Sequence, residues 1–226
     1  MESEKNGIPE RVTHMIEKKQ RQAILAPLFW GALWGITEAT FGHLLHIIKI
    51  PGLAGAFMFP IAVFFMIKVY SITGKLSSVL FTSYAAASLK FIDILISPHD
   101  LFAVLNPMLS ILCESLVLVL FLKAWRKKMF SKLIPVFTLV LGWKSIYFLM
   151  LVVLGHLYEV SSFLNLGLTR YLNFFIGESL ISGLMIYLFF KVHSFSKKSL
   201  FEYPRRFHYF LTAGVYILAV FIEALA

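Results

Sequence analysis

Several stretches of this chain are apolar apart from a lysine or a carboxylate set within them, and any chemistry must start from those residues. They are Glu38, Lys90, Asp93, Glu114, Lys144, Arg170 and Glu178. Each charge placed at a helix centre inside hydrocarbon costs about 2.5 to 3.5 kcal/mol. Groups that costly belong where they pair, line a wet interior or meet a ligand. Lys90 and Asp93 are spaced to neutralise one another on one helix face, and Glu114 and Lys144, on successive apolar stretches, form a second candidate ion pair. Acids outnumber bases four to three in this set, which leaves place for a cationic ligand or a proton. With Asn106 and Asn173 at the outer ends of their stretches, the expected ligand-binding residues are Glu38, Lys90, Asp93, Asn106, Glu114, Lys144, Arg170, Asn173 and Glu178.

Other chemistries have thinner support. His43 and His46 lie one helical turn apart and His156 ends another apolar stretch, but no second histidine stands at matching depth to complete a haem or metal site. The chain contains no HExxH, no glycine-rich phosphate loop and no GxSxG, so neither enzyme activity nor a metal or cofactor is expected. The single cysteine, Cys113, excludes an intramolecular disulfide and reads as a small buried hydrophobe. Trp30 and Trp34 lie one turn apart and continue toward Glu38, while Trp125 reads as an interfacial residue.

The elements that must position these residues are long apolar helices. Of 226 residues, 59% are hydrophobic and only 15% charged, whereas a soluble domain is about a quarter charged. Spans are expected near 23–46, 51–70, 76–97, 101–123, 133–156, 167–191 and 207–226, each close to the roughly 20 residues that cross a bilayer. Punctuation falls at Pro51-Gly52, Thr73-Gly74-Lys75, Ser97-Pro98-His99-Asp100 and two basic runs. Pro27, Pro107 and Pro135 are expected in end turns, and Pro60 inside a span, where it should kink the helix. The fold class is thus an all-α polytopic bundle of seven spans, divided into a polar cytosolic segment, 1–22, and one integral membrane domain, 23–226.

Charge orients the bundle. Seventeen of the 21 Lys and Arg residues fall in the N-terminal segment or at the loops after the second, fourth and sixth spans; only Lys49 and Arg170 face the other side. By the positive-inside rule the N-terminus is cytoplasmic and the C-terminus external, in a plasma (inner) membrane. This distribution also argues against nucleic-acid binding, which calls for one pooled basic patch. Counting about 1.5 Å of rise per residue from the cytoplasmic side places Glu114 about 13 Å deep, Lys144 about 18 Å, Glu178 about 20 Å, Lys90 about 22 Å, Glu38 about 25 Å and Asp93 about 27 Å. The polar set is weighted to the external half, as suits a site loaded from outside.

Gly31, Gly35 and Ala39 form a small-residue stripe on the first span, and Glu38 shares the face of Gly31. Such stripes admit close helix approach, either within the bundle or to a partner helix. A Glu-small pair recurs as Glu38-Ala39, Glu114-Ser115 and Glu178-Ser179, a short echo of the internal repeats found in transporters.

The stretches GALWGITEATFGHLLHII, PGLAGAFMFPIAVFFM, SYAAASLKFIDILISP and NPMLSILCESLVL, together roughly residues 28–123, resemble the substrate-binding S components of energy-coupling-factor micronutrient importers. The resemblance implies a compact six-helix bundle, to which this chain adds a C-terminal helix, and an outward-facing pocket for a vitamin or similar small molecule. It also implies no ATPase activity of the chain's own, with a transmembrane coupling protein and ATPase subunits as partners, the former docking on Gly31, Gly35 and Ala39. The alternative is a non-transport anchor or assembly subunit of a larger complex, binding haem or quinone.

Overall fold

The computed structural model describes residues 10–48, 50, 52–96, 101–125, 132–157, 167–195 and 208–225, and among these no strand occurs. Helix α1 (Glu10–Thr37) runs through a π-helical turn (Glu38–Gly42) into α2 (His43–Ile47). Then come α3 (Leu53–Thr73), α4 (Leu76–Leu89), α5 (Phe91–Ile96), α6 (Leu101–Trp125) and α7 (Leu133–Leu157). Helix α8 (Gly167–Leu172) passes through a second π-helical turn (Asn173–Gly177) into α9 (Glu178–Phe195), and α10 (His208–Leu225) follows. Glycine marks both ends of α3, Gly52 with φ 82° and Gly74 with φ 68°. At the second of these the Gly74 N–H donates to the Tyr70 carbonyl at 2.8 Å and closes the helix.

Among the described residues, five helical stretches are long and apolar enough to cross a membrane: Gln20–Leu45, Leu53–Thr73, Val104–Ala124, Leu133–Leu157 and Gly167–Lys191. Their outward faces carry large apolar side chains, among them Leu149, Ile134 and Leu180, while Trp34, Phe59, Met66, Leu118 and Leu139 are fully enclosed. A surface this apolar, wrapped round an interior that holds charge, is that of a membrane-embedded helical protein. The remaining two expected spans are shorter here: α4 and α5 break at Lys90, and α10 is an apolar helix of 18 residues.

Packing places α3 at the centre, against α1, α4, α6 and α9. Around it α1 packs on α4, α4 on α6, α6 on α7 and α7 on α9, while α10 lies outside against α1, α4 and α5.

Two proline positions differ from expectation. The polar segment before Ala23 is helical from Glu10, so Pro27 falls inside α1, and Pro107 likewise lies inside α6. Pro60 lies inside α3, as expected, and the helix runs from Leu53 to Thr73. Proline at 60 removes the N–H that would bond to the Ala56 carbonyl. The Ser182 hydroxyl of α9 donates to that carbonyl at 2.8 Å, both groups being buried. Ser182→Ala is therefore expected to lower stability by about 1 kcal/mol and to increase amide exchange around Ala56, measured by unfolding in mixed micelles and hydrogen-exchange mass spectrometry.

The loop residues Lys5, Lys49, Pro51, 97–100, 126–131 and 196–207, which carry much of the orientation argument, lie outside the described residues, as do the side chains of Arg11, Lys18, Lys19, His46 and Trp125.

Candidate functional site

Among the described residues the interior charges form two ion-paired clusters, with Glu38 and Glu114 outside any ion pair. In the first cluster Lys144 on α7 donates to Glu178 on α9 at 2.5 Å, and the lysine is fully buried. Its ammonium lies 4.0 Å from the centre of the Phe174 ring and 5.1 Å from that of Trp143. This replaces the expected Glu114–Lys144 pair: α7 packs on α9 as well as on α6, and Lys144 is turned to the α9 side. Glu178 also lies against the first turn of α3. A Cβ at Gly52 would come within 1.7 Å of its Oε1, and one at Gly55 within 3.6 Å of Oε2. Only glycine leaves the carboxylate that room, and the positive end of the α3 dipole faces it. The second π-helical turn immediately precedes Glu178, locally shifting the register that aims it.

The second cluster centres on Lys90, at the break between α4 and α5. Lys90 pairs with Asp93 at 3.6 Å, as its spacing predicts, but its closer partner is Glu223 of α10. Glu223 is outside the set singled out from the sequence. Its place near the end of the chain makes it look interfacial, yet it is 2% exposed. The pattern that could have found it is helical: Tyr216, Ala219 and Glu223 share a helix face. Along that face Ala219 is enclosed, and the hydroxyls of Tyr216 and Ser88 are 2.6 Å apart.

Among the described residues neither Glu38 nor Glu114 is in an ion pair, although Lys90 lies within electrostatic range of Glu38. Glu38 opens the first π-helical turn, half-buried, and its Oε1 accepts the Trp34 indole N–H at 3.2 Å. Glu114, on α6, is 3% exposed. Ser110, one turn earlier, bonds to its carboxylate, which lies within electrostatic range of Glu38; Oε2 has no hydrogen-bond partner. Tyr147 of α7 is within range of Glu114 too, and donates its hydroxyl to Asn106 Oδ1 at 3.0 Å. Asn106, Ser110 and Glu114 recur every four residues and so form one polar stripe down α6.

The other expected residues separate from this interior. Arg170 and Asn173 are exposed on α8 and its π-helical turn, and His43 and His156 are exposed at the ends of their helices. Cys113 is half-buried against Met150. Trp30, Trp34 and Trp143 are core residues, with Trp143 stacked between Phe59 and Tyr147. The small-residue stripe is an intramolecular seam. A Cβ at Gly31 would stand 2.7 Å from the Ala85 Cβ and the Thr82 carbonyl, and one at Gly35 2.2 Å from Leu89 Cδ1. With Ala39 also buried, α4 occupies the face that was expected to dock a partner at Gly31 and Gly35.

Besides Glu223 Oε2 of the second cluster, three polar atoms on α6, α7 and α9 stand out chemically. Glu114 Oε2, Trp143 Nε1 and Ser179 Oγ are buried without a hydrogen-bond partner. Each lies near the middle of its apolar stretch, on α6, α7 and α9 respectively, and those helices pack in that order. Compared with protein-family models, with characterised proteins and with solved structures, the chain finds no match in any of the three.

Proposed function

We propose that this protein is the small-molecule-binding subunit of a membrane importer, holding its ligand at mid-membrane depth between α6, α7 and α9. The observation that carries the reading is the set of buried unpartnered atoms on α6, α7 and α9: an acceptor on Glu114, a donor on Trp143 and a hydroxyl on Ser179. Inside a bilayer each buried polar group without a partner costs several kcal/mol. Three near the middles of apolar stretches on helices that pack in succession are groups a ligand's contacts would satisfy. The stacked faces of Phe59, Trp143 and Tyr147 supply the apolar wall usual in small-molecule sites.

Two further features support an importer. In this reading α4 with α5 forms the third span and α10 the seventh, the N-terminus is cytoplasmic, and the site is filled from outside. The packing of α1, α4, α6 and α9 on α3, with α7 between α6 and α9 and α10 added at the periphery, supports the resemblance to S components, which in turn implies a coupling protein and ATPase as partners. Such a coupling protein would engage a face other than the Gly31–Gly35 seam, because α4 fills it.

Native mass spectrometry of the full chain in nanodiscs tests the reading, with Trp143→Phe alongside. Phenylalanine keeps the ring stack but deletes the indole N–H. A ligand bound at that N–H predicts a co-purifying small molecule whose affinity falls about tenfold in the variant, equivalent to one hydrogen bond, with unfolding unchanged. Absence of any bound molecule, together with a Trp143→Phe variant that is simply more stable, would overturn it.

A further inference from the structure

We infer that Asp93 and Glu223 hold one shared proton beside Lys90, which makes the junction of α4, α5 and α10 a proton-binding site. The geometry begins with the lysine. Lys90 stands at the break between α4 and α5, bonds to Glu223 of α10 and lies 3.6 Å from Asp93 Oδ2. Two carboxyl groups that contact one ammonium are themselves neighbours, and α10 packs on both α4 and α5. Among the described residues no other Lys or Arg pairs with either acid. Two carboxylates on one ammonium leave the trio net negative, a costly state in a membrane interior. Glu38 adds to the excess: it opens the π-helical turn that also packs on α10, within electrostatic range of Lys90 and Glu223. Lys90, Asp93 and Glu38 are thus the described charges that face Glu223, while Arg21 of α1 lies at the other end of α10, over Tyr209.

The state of Glu223 shows what is missing. It is 2% exposed, its Oε1 serves Lys90, and its Oε2 is enclosed without a hydrogen-bond partner. An ionised carboxylate only accepts hydrogen bonds, so a second carboxylate cannot satisfy it; once protonated it also donates. Asp93 is within hydrogen-bonding reach of Glu223. One proton therefore turns a repulsive contact into a bond and leaves the trio neutral. A metal ion fits the place less well, because Lys90 already occupies the position against both carboxyl groups. Among the described residues, moreover, no group of three His, Cys, Asp or Glu is placed to hold a metal. Asp93, 31% exposed, is the side from which the proton exchanges. Because Glu223 is the charged anchor of α10, the proton also governs the hold of that helix: without it, two carboxylates compete for one ammonium.

Infrared spectroscopy of the full chain, in a detergent without ester groups, separates the band of protonated carboxyl groups from that of carboxylates. A shared proton predicts that Glu223→Gln and Asp93→Asn each remove one protonated carboxyl at neutral pH. Each should leave the carboxylate band unchanged, since the acid that remains ionises against Lys90. A cluster without the proton gives the reverse, loss of one carboxylate with the protonated band intact, and that result in either variant overturns the proposal. Reversible unfolding in mixed micelles is the second readout. The native site holds a proton that the carboxyl groups of the unfolded chain have released at neutral pH, so the parent loses stability as pH rises. Around neutrality its unfolding constant should rise with pH more steeply than that of either variant, by about tenfold per pH unit, the effect of one proton. Parallel slopes for parent and variants overturn the proposal as well. Either variant suffices should the other fail to fold, because each removes the same proton.

Discussion

Replacing Glu178 with leucine is expected to cost about 3–5 kcal/mol of stability, and replacing Lys144 with methionine in the same chain is expected to return most of it. The single change leaves an ammonium fully enclosed, against the Phe174 and Trp143 rings and without its carboxylate. Removal of both charges eliminates the desolvation that each suffers, and two apolar chains of similar volume pack in their place. Lys144→Met alone should be milder than Glu178→Leu, because the stranded carboxylate would still face the first turn of α3 beside Gly52 and Gly55. Reversible unfolding in mixed micelles measures all three. A double variant as unstable as Glu178→Leu would show instead that the attraction within the pair outweighs the desolvation. The double variant also separates structure from binding: if ligand affinity survives it, the pair is a packing device and the neighbouring Glu114, Trp143 and Ser179 are the contacts.

The second large effect is expected at Gly31. Alanine there already forces its Cβ to 2.7 Å from both Ala85 Cβ and the Thr82 carbonyl, and neither neighbour is a flexible side-chain end that can swing aside. Overpacking of this kind costs about 1–3 kcal/mol, and Gly31→Leu should reach or exceed the upper end, since it separates α1 from α4 along their seam. Gly214 on α10 is the control, because nothing lies within 4 Å of a Cβ built there. Gly214→Ala should be neutral or stabilising by up to about 1 kcal/mol through helix propensity. Equal thermal stability of Gly31→Leu and the parent chain would contradict the seam. The comparison also bears on partner docking: a Gly31 variant that unfolds has lost an internal contact, whereas one that folds and loses only a partner would restore the docking role to this stripe.

Much of the architecture was legible from residue type and order. Long runs of Leu, Ile and Phe between Gly, Pro and basic punctuation marked the helices, because backbone polar groups inside a bilayer must be satisfied within the segment itself. Local spacing also foretold the Lys90–Asp93 contact and the small residues that bring α1 close to another helix. Which helix that was, and which charges met, depended on rotation and neighbour choice, and these are set by packing over residues far apart in the chain. Lys144 had two acids within plausible reach and took Glu178 because α7 faces α9; Lys90 found Glu223, 133 residues away. Pro60 looked like a kink because proline deletes a hydrogen bond, and only the fold could show Ser182 supplying a replacement to the Ala56 carbonyl. The sequence alone determined that charge is kept inside a membrane-embedded helical chain. Tertiary structure decided which charges are ion-paired and which of those described, Glu38 and Glu114, are not, since pairing over tens of residues is fixed by which helix faces meet and not by spacing along one of them.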